Sequence, residues 1–336
     1  MSSRWTALAS FFLVVCTLGI VGVFSSAGSG SAGTPAPQAL SVPGVGRSWG
    51  GDTFGQLGND ETEGTRSAPV PVAGLTSIAQ ISASQYHTLA LLSNGDVWSW
   101  GYDGQGQLGN DNVIASENQR TPAPATLPGG APLTGVKAVS AGEFHSLALM
   151  DGGSMMAWGN DISGQLGDGG SNTDQPQPVP VSDITDAVAI SAGDGHSLAL
   201  LTNGEVRAWG DDLFGQLGNS SAFDDDEDTP VAVVLADNTT PLTGVKAIAG
   251  GSEHSLALLN NGRVHAWGAD TGGELGNSVP FNDNQANPGA GGEGQRRSPQ
   301  RRRRDRRRHE KLPRPHGRRH RQVVGKRHNG RRRQRR

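Results

Sequence analysis

Cysteine is all but missing: Cys16 is the single thiol in 336 residues, and it lies inside an N-terminal apolar stretch. Once that stretch is removed, neither a disulfide framework nor a thiolate metal site can be built. Aromatic residues make up 5% of the chain and hydrophobic residues 34%, too little apolar bulk for a helical bundle of this length. Cations are scarce through most of the sequence. Residues 1–295 hold 8 of the 29 Lys and Arg but 30 of the 32 Asp and Glu, so the net charge of −3 averages an acidic body and a basic end. The one long apolar run spans Ala7 to Phe24.

That run follows Arg4 and is followed by the small residues Ser25 to Ala32. Positive start, apolar middle and small-residue region is the order of a secretory signal, with cleavage after Ala27 or Ala32. The alternative is an uncleaved membrane tether through residues 7–24, since 18 residues just span a bilayer. A lipid anchor on Cys16 is disfavoured by Val15, where a small residue is needed. We expect residues 1–27 to be signal or anchor, 28–46 a flexible Ser/Ala/Gly/Pro linker, and the protein to be secreted or membrane-anchored outside the cytoplasm.

Glycine is abundant, at 50 residues, and its placement is periodic. A Trp-Gly pair recurs at Trp49, Trp100, Trp158, Trp209 and Trp267. Each is followed by Gly-Gln-Leu-Gly or, in the last copy, Gly273-Glu274-Leu275-Gly276. Before four of the pairs stands His-Ser/Thr-Leu-Ala-Leu, starting at His87, His145, His196 and His254, always 13 residues ahead of the Trp. Alternating apolar residues, an Asn-Gly or Asp-Gly turn (Asn94-Gly95, Asp151-Gly152, Asn203-Gly204, Asn261-Gly262) and a returning strand describe a hairpin. A further short strand, such as Val245 to Ala249, precedes it. Sheets of three or four strands repeated every fifty-odd residues bury their faces by radial stacking, which is a β-propeller.

Trp-to-Trp distances run 51, 58, 51, 58, and Pro132 to Ala138 returns unchanged at Pro241 to Ala247. A two-blade unit has been duplicated. The long connections, Asp111 to Gly130 and Ser220 to Thr240, are expected on one rim, two blades apart.

These units resemble the repeats of the regulator-of-chromosome-condensation family. The resemblance rests on Ser-Leu-Ala-Leu, the Asn/Asp-Gly turn, Trp-Gly, Gly-Gln-Leu-Gly and Pro-x-Pro-Val (Pro69 to Val72, Pro178 to Val181), and covers residues 47–288. It implies an all-β propeller that in the family closes with seven blades. About five are readable here, so the ring is expected to be incomplete. The family includes a nucleotide exchange factor for a small GTPase and a secreted β-lactamase inhibitor, which implies regulation of another enzyme as one function.

Residues 289–336 are arginine-rich and almost free of apolar side chains, a composition that cannot form a blade. The stretch has no Phe, Tyr or Trp to stack on bases, so no nucleic-acid partner is expected despite its charge. Read one base later, with permitted codons, His309 to Lys326 give Thr-Lys-Asn-Ser-Leu-Ala-Leu-Met-Ala-Asp-Gly-Thr-Val-Arg-Ser-Trp-Gly. That is the repeat, with its Trp across Val324 and Gly325. Asn287 to Gly292 shift likewise to Thr-Pro-Val-Pro-Val. A frameshift near residues 284–288 is the reading that fits.

No catalytic or cofactor-binding residue is expected. The four histidines and five tryptophans occupy the same slot in every unit, so packing or backbone hydrogen bonding is their expected role rather than a metal ring or a general base. Gly-Gln-Leu-Gly lacks the lysine and helix of a phosphate loop. Among non-repeated features, Asp224, Asp225, Asp226, Glu227 and Asp228 are the candidates for calcium or a basic partner, against plain solvated charge. Asp168 to Asp174 is a second acidic loop. The expected function is non-enzymatic binding of an unknown protein or surface polymer through rim loops. An independent enzyme lacks a unique catalytic cluster.

Overall fold

The computed structural model describes residues 46–61, 64–111, 118–221, 225–277 and 284–290. The N-terminal apolar stretch with Cys16, the segment expected as a linker up to position 45, Asp224 and residues 291–336 lie outside them. All described secondary structure is strand, and every strand pair is antiparallel.

Strands β1 (Arg47–Gly51) and β2 (Thr65–Pro71) form a two-stranded sheet. Four sheets of four consecutive strands follow. The first holds β3 (Ile78–Ala83), β4 (His87–Leu92), β5 (Val97–Gly101) and β6 (Gln119–Pro124). The second holds β7 (Val136–Ala141), β8 (His145–Met150), β9 (Met155–Gly159) and β10 (Gln175–Pro180). The third holds β11 (Ala187–Ala192), β12 (His196–Leu201), β13 (Val206–Gly210) and β14 (Glu227–Ala232). The last holds β15 (Val245–Gly250), β16 (His254–Leu259), β17 (Val264–Gly268) and β18 (Gln285–Ala290). These are propeller blades. By its Trp-Gly pair β1 matches the third strand, and β2 the fourth, of the other sheets.

The fixed His-to-Trp spacing is the register of the central hairpin: His87, His145, His196 and His254 each pair with the glycine of a Trp-Gly. The turn between them is three residues rather than two, with a positive-φ glycine third: Gly95, Gly153, Gly204 and Gly262. In the second sheet this makes Gly153, and not Gly152, the turn glycine. The Pro-rich segments, read in the sequence only as a motif, are the fourth and outermost strands. Prolines at every second position, as in Pro69/Pro71 and Pro178/Pro180, put the missing N–H groups on one side of the strand, which suits an edge.

The core lies between successive sheets. Leu89, Leu91 and Val97 of one sheet pack on Val136, Val139 and Trp158 of the next. Leu147, Leu149 and Met155 meet Ala187, Ile190 and Trp209 in the same way, as Leu198, Leu200 and Val206 meet Val245, Ile248 and Trp267. The extra residues of alternate units sit mainly after the fourth strand, in bridged turns closed by Thr126–Pro132 and Val234–Pro241. The long segments expected as rim loops thus include a strand each, β6 and β14.

Candidate functional site

The repeated side chains form one hydrogen-bond ladder from sheet to sheet. His87 Nε2 lies 2.9 Å from Ser146 Oγ in the following sheet, His145 Nε2 3.0 Å from Ser197, and His196 Nε2 2.9 Å from Ser255. Each serine donates to the carbonyl of the preceding unit's Gly-Gln-Leu-Gly glutamine: Gln107, Gln165 and Gln216, at 2.8 Å each. Since the serine proton is spent there, its oxygen accepts from a protonated Nε2. Burial pushes the His87 and His196 pKa down to about 3 and that of His145 to about 4, so the rings are neutral donors at pH 7. A neutral buried ring with its Nε2 proton committed is a structural donor.

The tryptophans complete the ladder. The Nε1 groups of Trp158, Trp209 and Trp267 donate to the same three carbonyls, and that of Trp100 to Gln56, which also accepts from Thr88 Oγ1, all four indole bonds being 2.9–3.0 Å. All four rings are fully buried, whereas Trp49 is half-buried. The last glycine of the motif makes room for them. A Cβ on Gly58, Gly109, Gly167 or Gly218 would lie 2.6–2.7 Å from the indole nitrogen, and each has a positive φ.

One repeated residue escaped notice in the sequence. Asp52, Asp103, Asp161, Asp212 and Asp270 stand three residues after each Trp, and each accepts the motif leucine N–H at 2.8–3.1 Å. Burial pushes Asp103 up to about 7, and Asp161 and Asp212 up to about 6. The constant spacing was the available signal.

Several residues that differ between units lie in the connections from first to second and from third to fourth strand, which the antiparallel order puts on one face. Phe54, Tyr86, Tyr102 and Phe144 form a continuous aromatic cluster there, all half-buried. Tyr86 stacks on Phe144 with centroids 4.8 Å apart, and Phe54 meets Tyr86 and Tyr102 edge-on at 5.4 and 5.2 Å. The slot held by Tyr86 and Phe144 is Gly195 and Glu253 in the later units, so this cluster is not a repeat requirement. Carboxylates adjoin it. Glu143 precedes Phe144, and its pKa is pushed up to about 7 by burial and then by the charge of Asp194. Ser252 Oγ donates to Asp194 Oδ2 at 2.5 Å. Ile162 and Leu213, 70% and 47% exposed, lie on the same face.

The acidic run divides. Asp226 Oδ1 accepts from the Asp212 N–H at 2.9 Å, and Glu227, which begins β14, accepts from Asn219 Nδ2 at 3.1 Å. Asp225 and Asp228 are exposed. Among the described residues no group of three or more His, Cys, Asp or Glu is placed to hold a metal ion. In the other acidic loop, Asp174 Oδ1 accepts from Asn160 Nδ2 and the Asp161 N–H at 3.0 Å each.

The family model described as RCC1-like domain matches residues 28–328. The chain belongs to the RCC1-like family. As an RCC1-like protein it is similar to Protein pim1 of Schizosaccharomyces pombe, 30% identical over 66% of this chain and 42% of pim1. It is also similar to the ultraviolet-B receptor UVR8 of Arabidopsis thaliana, 29% identical over 71% of this chain and 52% of UVR8. It therefore spans about half the length of these relatives. Among solved structures, human WBSCR16 superposes with TM-score 0.60 at 19% identity, covering 84% of this chain and 79% of that one. Prp20p of Saccharomyces cerevisiae, studied for its binding to Gsp1p and histones, gives 0.57 at 23%, covering 74% and 59%. Both likenesses establish the propeller fold.

Proposed function

We propose that this protein is a non-enzymatic binding module that acts outside the cytoplasm and holds a protein or surface polymer on the propeller face carrying Phe54, Tyr86, Tyr102 and Phe144. The observation that carries this reading is that cluster: aromatic rings left half-open on a rigid scaffold, where the repeat pattern does not call for them. Ile162 and Leu213 extend the apolar surface. The carboxylates Glu143 and Asp194 suit a partner that presents positive charge beside apolar groups. The signal-like order of Arg4, the apolar run at residues 7–24 and the small residues after it supports an extracellular or envelope compartment for this reading.

A second reading, regulation of another enzyme, draws on the family, in which Prp20p is described with its binding to Gsp1p. On this reading the expected export signal favours a secreted enzyme over a cytosolic GTPase as the partner.

The test is a comparison of the intact chain with the double variant Tyr86→Ser, Phe144→Ser for retention on washed cell envelopes and on immobilised extracellular proteins. Retention should fall at least tenfold in the variant, because central aromatic anchors dominate such interfaces. It should survive shortening of the bridged turn at residues 126–132. Loss in the second variant with none in the first would place binding on the long rim connections instead. Recovery of the chain only from cytosol would contradict export.

A further inference from the structure

The ladder has a direction, and it stops at β15–β18 with its receiving half exposed. In each earlier sheet the apolar side of the central hairpin is covered by the next sheet: Leu198, Leu200 and Val206 are buried. Their counterparts Leu256 and Leu258 are half-open, and Val264 is 41% exposed, the third exposed large hydrophobic among the described residues besides Ile162 and Leu213. His254, in the slot of three fully buried rings, is half-buried, with no serine across from it among the described residues. Gly276 keeps the positive φ of Gly58, Gly109, Gly167 and Gly218. Where a Cβ on those four would strike an indole, one on Gly276 would meet nothing within 4 Å. An indole-shaped cradle, an open apolar stripe and a free histidine slot together describe the missing neighbour in detail.

We infer that this face is a docking surface for a sixth repeat of the same type, encoded by this gene in the next reading frame after about codon 284. Strand β18 supports the occupant through its register. Gly289 sits opposite Ala266, where the other sheets have Val70 opposite Ser48, Ala123 opposite Ser99, Val179 opposite Ala157 and Val231 opposite Ala208. Reading Asn287 to Gly292 one base later puts a valine in that place. It puts a second valine two residues on, in the slot of the buried Val72, Ala125, Val181 and Val233. From that slot the shifted frame reaches its His-equivalent 20 residues later, at codon 311, the same interval as from Ala125 to His145. A serine follows, placed to accept from His254. Thirteen residues past the His-equivalent comes a tryptophan for the Gly276 cradle.

Two measurements test this. The shifted unit requires particular silent bases in the gene: CCT for Pro313 and Pro315, and GTG for Val324, whose last two bases begin the tryptophan codon. Other bases at these codons, or a stop in that frame, would overturn the inference. The second compares the chain as given with the chain expressed after restoring the frame, by amide exchange in β16. Exchange should slow at least tenfold on restoration, and Gly276→Ala should undo this in the restored chain only. Unchanged β16 exchange in a folded restored chain would refute the docking surface. Concentration-dependent protection of the chain as given would refute it too, by putting a second copy there.

Discussion

The carbonyl of Gln107 accepts two hydrogen bonds from the following sheet, from Ser146 Oγ and Trp158 Nε1, and so joins two units through a single oxygen. Removing one donor leaves a buried acceptor partly unmet, which costs about 1–3 kcal/mol. Ser197→Ala strips both the donor to Gln165 and the acceptor of His145. It should lower stability by about 2 kcal/mol in urea unfolding, and Ser93→Ala, on an exposed turn, should change it little. The buried acids make a different prediction. Asp103 has a folded pKa of about 7 against 3.8 in the open chain, so the folded state holds its proton longer. The stability this lends is complete below about pH 4 and lost as pH rises through 7. The buried histidines act in the opposite sense. Their folded values of about 3 to 4 lie below 6.5, so their contribution is present above pH 6.5 and lost as pH falls. Between pH 6.5 and 8 the carboxylates alone remain, and unfolding free energy should fall by roughly 1 kcal/mol for Asp103. Asp103→Asn keeps an acceptor for the Leu108 N–H and should flatten that limb in a pH series of urea melts.

At the scale of the element, each blade is finished by its neighbour. Gly167→Ala sets a Cβ 2.6 Å from the Trp209 indole at a positive φ, and both the overlap and the backbone strain should cost together about 3 kcal/mol. Gly276→Ala in the chain as given meets open space and should cost only the conformational part, about 1 kcal/mol. Thermal melts of the two variants give the comparison. The hairpin was legible in the sequence because its register is a constant: 13 residues from His to Trp force the same cross-strand partners in every unit. The fourth strand was hidden by its prolines, which argue against a strand until an outer edge is there to tolerate them. The aromatic face was hidden for another reason. Phe54, Tyr86, Tyr102 and Phe144 come from four separate connections, and only the stacking of sheets brings them together. No spacing along the chain announces such a cluster.

At the scale of the whole molecule, the described chain is four complete blades preceded by half of another, each contributing the donor side of one interface and the acceptor side of the next. Such an array is stabilised by nearest-neighbour interfaces, so its ends are its weakest parts. The acidic body, with 8 cations against 30 carboxylates in residues 1–295, should attract basic partners in a salt-dependent way. Capture on the aromatic face should weaken severalfold between 0.05 and 0.5 M salt, roughly, measured by retention on the same envelopes. The direct measurement of the ladder and its open end is amide hydrogen exchange resolved by strand in the chain as given. The strands β4, β8 and β12, which hand their histidines to a following sheet, should be protected alike, and β16 should exchange at least tenfold faster. Equal protection of β16 and β12 would contradict the account.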